Sequence, residues 1–204
     1  MLARTETVLV PTVSRLSARH PESPAPMSTA LLVIDMQQAL CSGEEAVHGI
    51  EGVIARVNDL VRRARAASAP VLLVQHEEAE GPLAHGAPGW QLVEGLKAVD
   101  TDPRFRKTTP NAFHNTPLQP WLQAHGITRL VVCGLQTDFC VDTTVRQALP
   151  LGYAVALAAD AHSTTDGVIS AAQVIAHHNR TLRHMTHFGP DMQVLPAADI
   201  AYTA

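Results

Sequence analysis

Residues 129–160, RLVVCGLQTDFCVDTTVRQALPLGYAVALAAD, decide the fold. RLVVCG (129–134) is a short apolar run of the kind that forms a strand buried on both faces. The chain leaves that run at Gly134, and a helix is expected from about Asp138 to Leu149, where Pro150 and Gly152 stop it. YAVALAAD (153–160) is a second buried strand. Strand, helix and strand in this order form a crossover that makes the two strands parallel.

The same alternation continues outward in both directions. ALLVID (30–35), PVLLVQ (70–75) and MQVLP (192–196) read as further buried strands, and PRFRKTTPNAF (103–113) contains a short edge strand ended by Pro110. Between them Ile50, Val53, Ile54, Val57, Leu60 and Val61 recur at three and four residues, which puts one apolar stripe on a helix ending near Ala67. Leu118, Trp121 and Leu122 do the same before Gly126, and a further helix is expected from Asp166 as N-cap through Val168, Ala171, Ala172 and Ile175. The fold class is α/β: a three-layer αβα domain with a Rossmann-like parallel sheet of about six strands. In such sheets ligands bind beyond the carboxyl ends of the strands.

The 204 residues make one domain over 27–204, preceded by a Pro-terminated N-terminal extension over 1–26. Hydrophobic residues at 46 % supply a full core. Charged residues make up only 17 %, the formal net charge is −4, and no basic run follows residue 65, which argues against a nucleic-acid partner. Apolar runs are far short of the roughly 20 residues a membrane span needs, so no membrane partner is expected. Cys41, Cys133 and Cys140 form no CxxC, which fits a reducing, cytoplasmic setting better than a disulfide framework or a zinc ribbon.

Three residues at strand ends could carry chemistry. Asp35 closes the first strand and reads either as a general base or as the cap of a turn. Lys107 ends the edge strand and is a solvated charge unless a partner holds it buried. Cys140 lies at the start of a helix, where N–H groups and the helix dipole would lower a thiol pKa and could hold an oxyanion, although a Cys there could equally be core packing.

ALLVIDMQ, RKTTPNAF and LVVCGLQTDFCVDTTVRQALPLGY followed by DAH together resemble the isochorismatase-like cysteine hydrolases. That group includes nicotinamidases, N-carbamoylsarcosine amidohydrolase and streptothricin hydrolase. The resemblance runs from about Ala30 to Leu195 and implies the fold of that family and a catalytic triad of Asp35, Lys107 and Cys140. It further implies a cis peptide between Leu135 and Gln136, an oxyanion hole from the backbone N–H groups of Gln136 and Cys140, and a homodimer or homotetramer. The activity so implied is hydrolysis of a C–N bond in a small-molecule amide, ureide or lactam through a thioester. The alternatives are a vinyl-ether hydrolase of the isochorismatase type and a non-catalytic scaffold.

Two departures bear on the site. The Asp-x-His metal pair of nicotinamidases is replaced by Gln75-His76-Glu77-Glu78, so neither a metal nor another cofactor is expected. Leu40 stands where many relatives carry an aromatic residue. Gln37, Leu40, His76, Glu77, Trp90 and Phe113 are the candidate pocket residues, and the Gly- and Pro-rich stretch 77–89 is expected as a loop over the sheet. With aromatics at only 4 %, a smaller or aliphatic amide is favoured over a stacked ring.

Overall fold

The computed structural model describes residues 28–43 and 46–202, and the extension expected over 1–26 lies outside the described residues. In chain order the elements are β1 (Ser28–Ile34), α1 (Gln38–Cys41), α2 (Ile50–Ala66), β2 (Val71–His76), β3 (Arg104–Lys107), α3 (Leu118–Ala124), β4 (Ile127–Leu135), α4 (Asp142–Ala148), β5 (Ala154–Ser163), α5 (Ala171–Arg183) and β6 (Met192–Leu195). The strands form one sheet in the order β3-β2-β1-β4-β5-β6, with every neighbouring pair parallel. The three-layer α/β expectation holds, including the edge strand ending at Lys107.

Strands that are apolar at every position require cover on both faces, and the helices supply it. Leu31 and Val33 of β1 and Val131 and Cys133 of β4 pack under Val53, Val57, Leu60, Val61 and Ala64 of α2. Ala30, Leu32 and Ile34 of β1 face the other way, with Leu118 and Leu122 of α3, Val145 and Ala148 of α4 and Leu182 of α5. Leu32 is fully buried, and truncating such a side chain to Ala costs about 2–5 kcal/mol. Among the described residues no helix is long and apolar enough to cross a membrane.

Two helix starts differ from expectation. The segment expected as a helix from Asp138 opens instead with a π-helical turn, Thr137–Val141, and only then becomes α4. The helix expected from Asp166 begins at Ala171, because Ser170 and Gln173 form a reciprocal capping box there. Val168 and Ile169 are exposed and have no core to face, so a helix through them would bury nothing. Asp166 still serves that end, its Oδ1 accepting the Ala171 N–H at 2.7 Å.

The sheet reverses its order of winding between β1 and β4, and loops leaving that junction in opposite directions open a crevice at its carboxyl end. Gly134 makes the junction possible. It pairs with Ile34 at a φ of +113°, and a Cβ there would stand 2.0 Å from the Ile34 carbonyl oxygen. No other residue fits, and the strands meet closely enough to set their exits side by side.

Candidate active site

The ends of β1, β3 and β4 each contribute one group to that crevice. Asp35 follows β1 in the left-handed region, φ 51°, where Asp is tolerated, and its N–H donates to the Val74 carbonyl at 2.8 Å. Lys107 is the last residue of β3, and the β2–β3 register sets it beside His76. Cys140 lies in the π-helical turn after β4. The side chains of Lys107 and Asp35 are 0 % and 1 % exposed.

An ammonium has three N–H donors and no lone pair, and Lys107 uses all three. Nζ donates to Asp35 Oδ2 at 2.7 Å and to Cys140 Sγ at 3.1 Å, and His76 Nδ1 stands at 3.3 Å. Because Nζ can only donate, His76 Nδ1 accepts and its ring proton sits on Nε2. Burial and the Lys107 charge both lower the His76 pKa, which keeps that acceptor neutral.

The Cys140 thiol is pushed up to about 12, first by burial and then by the Asp35 carboxylate, with the Lys107 charge opposing. The lowered pKa expected for a thiol at a helix start is therefore corrected: burial and the Asp35 carboxylate raise it more than the Lys107 ammonium lowers it. The resting site holds a neutral thiol beside a buried ion pair. Asp35 Oδ1 is buried and makes no hydrogen bond, so one carboxylate oxygen is anchored and the other has open lone pairs.

The turn carrying Cys140 is held from the end of β5. Thr137 Oγ1 lies 2.9 Å from His162 Nδ1, His162 Nε2 lies 3.0 Å from Asn179 Oδ1, and Asn179 Nδ2 donates to the Ala159 carbonyl at 2.9 Å. That chain fixes the directions: Nε2 donates to the amide oxygen, and Nδ1 accepts from the threonine hydroxyl. Burial lowers the His162 pKa to about 4. Thr164 Oγ1 donates to Asp138 Oδ1 at 2.7 Å, a second tie to the same turn. From the other side, Thr144 Oγ1 of α4 accepts the Ala112 N–H at 3.1 Å and so holds the loop after β3. The Leu135–Gln136 peptide is cis.

Asp35, Gln136 and Cys140 border a cavity of about 250 Å³, which Leu40 and His76 also line. The other pocket candidates lie elsewhere. Glu77 turns away to a two-pronged pair with Arg106, at 2.6 and 3.1 Å. Gln37 is fully buried and stitches loops together: its Nε2 donates to the His76 and Trp90 carbonyls and its Oε1 accepts the His76 N–H. Trp90 sets its ring against His85, and Phe113 packs in the core, stacked on Tyr153 at 5.8 Å. Large aromatics bury area wherever they fall, which is why residue type alone misplaced both.

Leu83, Pro110, Phe139 and Glu78 complete the lining and were not singled out by sequence. For Glu78 a signal existed, since residues two apart in extended chain point the same way and Glu78 stands two beyond His76. Among the described residues no group of three His, Cys, Asp or Glu side chains is arranged to hold a metal ion.

Residues 29–189 match the family model described as the isochorismatase domain. A streptothricin hydrolase from Streptomyces noursei is 42 % identical over 138 residues, which is 67 % of this chain and 50 % of that protein, so the chain spans about half the length of that relative. A ureidoacrylate amidohydrolase from Methylobacterium radiotolerans is 31 % identical over 176 residues, covering 67 % of each chain. A crystal structure of an isochorismatase family protein superposes with a TM-score of 0.75 at 38 % identity, covering 79 % of this chain and 96 % of that one. The matched span runs from the first strand to the loop before the last, through every strand end that supplies the Asp35, Lys107 and Cys140 cluster, and the chain belongs to the isochorismatase family.

Proposed function

We propose that this protein is a cysteine hydrolase that cleaves a C–N bond of a small amide, ureide or lactam through a thioester on Cys140. The observation that carries this reading is one ammonium, Lys107 Nζ, donating at once to Asp35 Oδ2 and Cys140 Sγ while Asp35 Oδ1 has no partner. The family's streptothricin hydrolase and ureidoacrylate amidohydrolase members support hydrolysis of small amides.

The chemistry follows from the neighbours. Asp35 Oδ1 takes the thiol proton as sulfur attacks the substrate carbonyl carbon, so the charge moves from carboxylate to sulfur beside an unchanged Lys107 ammonium. The tetrahedral oxyanion faces the backbone N–H groups of Gln136 and Cys140. When the C–N bond breaks, Asp35 returns its proton to the departing amine or ammonia, leaving a thioester. Asp35 then takes a proton from water, hydroxide attacks the thioester carbonyl, the C–S bond breaks, and the proton passes back to sulfur as the acid leaves. His76 does not touch the reacting atoms in this scheme: it takes up the third Lys107 N–H and so holds the ammonium in its fork.

The test is ammonia or amine release from a panel of small amides, ureides and lactams, with vinyl ethers as a separate arm, for wild type beside Cys140→Ala. Release by wild type alone is expected. Equal release by Cys140→Ala, or turnover of the vinyl ethers only, contradicts the proposal.

A further inference from the structure

Two adjacent glutamates leave β2 and meet opposite fates. Glu77 is neutralised by Arg106 outside the cavity. Glu78 lines the cavity, and its nearest charged-type neighbour is His76, whose Nε2 stands 4.0 Å from Glu78 Oε1. The His76 ring lies between two centres, with Nδ1 toward Lys107 and Nε2 toward Glu78, so the ammonium below does not pair with the carboxylate above.

The charges that face the cavity then sum simply. Lys107 and Asp35 cancel as a buried pair and His76 is neutral, which leaves one uncompensated negative charge, on Glu78. The Glu78 side chain is 53 % exposed, at the solvent side of a cavity whose other walls include Leu40, Leu83, Pro110 and Phe139, so its field acts on a ligand entering past those apolar walls. Phe139 also borders a neighbouring cavity of about 420 Å³ whose titratable lining residues are Asp138, Asp166, His177 and His178. Among the described residues lining either cavity there is no Lys or Arg. The Glu78 backbone is held in place, its N–H donating to the Leu83 carbonyl at 3.1 Å and the chain bridging to Ala84.

We propose that Glu78 is a specificity-determining residue that selects substrates carrying a cationic group, an amine or amidine-type nitrogen, joined through a short apolar body to the bond that is cleaved. The proposal rests on the hydrolase reading for its substrate and on the cavity alone for its charge preference. At about 250 Å³ the cavity lies just under the roughly 300–1,000 Å³ of common ligand sites, so the substrate is small. An anionic substrate would meet the Glu78 carboxylate with no cation on the lining to offset it.

The charge preference is measured first without any substrate, using thiol reagents of different charge. Aminoethyl (cationic), methyl (neutral) and sulfonatoethyl (anionic) methanethiosulfonates each transfer their alkylthio group to Cys140 sulfur and release methanesulfinate. Rates are normalised to a free thiol, and the Cys140→Ala signal is subtracted for the buried Cys41 and Cys133. In wild type the cationic reagent reacts faster than the anionic one, and Glu78→Gln shrinks that ratio about tenfold. Glu77→Gln leaves it within about twofold. An unchanged ratio in Glu78→Gln, or an equal shift in Glu77→Gln, overturns the proposal.

The second arm measures ammonia release from size-matched cationic and neutral amides. Glu78→Gln is expected to raise KM for the cationic amide about tenfold with kcat nearly unchanged, and to leave the neutral amide alone. Equal effects on both amides overturn the proposal. Failure of the hydrolase reading looks different: Cys140→Ala releases ammonia as well as wild type, or wild type releases none, while the reagent ratio still depends on Glu78.

Discussion

Cys133 and Cys140 stand seven residues apart, one in the middle of β4 and the other just beyond its end, and burial raises the pKa of both thiols. Around Cys133 burial is the whole cause, and its sulfur faces the Leu32 carbonyl at 3.8 Å among apolar side chains. Around Cys140 burial acts together with a carboxylate and an ammonium that pull in opposite directions. No charged neighbour shifts the thiol in the strand, and two shift the partly buried thiol at the rim, which under the proposed mechanism makes it the proton donor. The proposed reactivity at the rim rests on an unpartnered acceptor, Asp35 Oδ1, and on a cation hydrogen-bonded to the sulfur that stays put while the negative charge moves.

The sharpest way to break the comparison is to remove each thiol in turn. Cys140→Ala is expected to drop turnover by roughly 10⁴-fold or more, to the uncatalysed background, with the thermal transition little changed. Cys133→Ala is expected to keep turnover within about twofold and to cost roughly 1–2 kcal/mol in urea denaturation, the consequence of a small cavity. Loss of activity in a folded Cys133→Ala protein would erase the distinction between strand and rim.

The ion pair is the next largest effect. Lys107→Met strands the Asp35 carboxylate in the interior, which costs about 3–5 kcal/mol, and abolishes measurable turnover. The double variant Asp35→Asn/Lys107→Met, with neither charge left buried, recovers much of that stability and none of the activity. Urea denaturation of the single and double variants checks both statements.

A smaller effect concerns the tie that holds the Cys140 turn. His162 has a lowered folded-state pKa of about 4 against 6.5 unfolded, so the unfolded chain binds the extra proton first as pH falls. Its contribution is complete above about pH 6.5 and declines toward pH 4, by about 3 kcal/mol at most. Protonated His162 also loses the Nδ1 lone pair that Thr137 donates to. His162→Gln is expected to flatten the acid side of the stability profile measured by denaturation at stepped pH, and Cys133→Ala is expected to leave that slope untouched.

Much of the fold is legible in the sequence because its central strands are apolar on both faces and its helices on one. The edge strand at Phe105 and the positions of Asp35, Lys107 and Cys140 follow from where such runs end. Their mutual geometry does not, since the order β3-β2-β1-β4 that brings β3 and β4 ends to one crevice is a property of the whole sheet. The pocket is legible only in part. Leu40 and His76 belong to elements that point at the crevice, whereas Glu77 and Glu78 differ only in which side of an extended chain they occupy. The start of α5 moved because a capping box at Ser170 outweighed a good single cap at Asp166. The raised Cys140 pKa was out of reach, as burial and the position of Asp35 are set by residues distant in the chain.

The central claim, that Asp35 holds the Cys140 proton back at rest and receives it during reaction, is tested most directly with Asp35→Asn. Removing the carboxylate takes away a cause that raises the thiol pKa and leaves the Lys107 charge unopposed, so more thiolate is present at neutral pH. Iodoacetamide labelling of Cys140 across pH, run beside amide turnover on the same preparations, should show Asp35→Asn labelling faster than wild type at pH 7 while hydrolysis is lost. Labelling no faster than wild type, with hydrolysis retained, would contradict the claim.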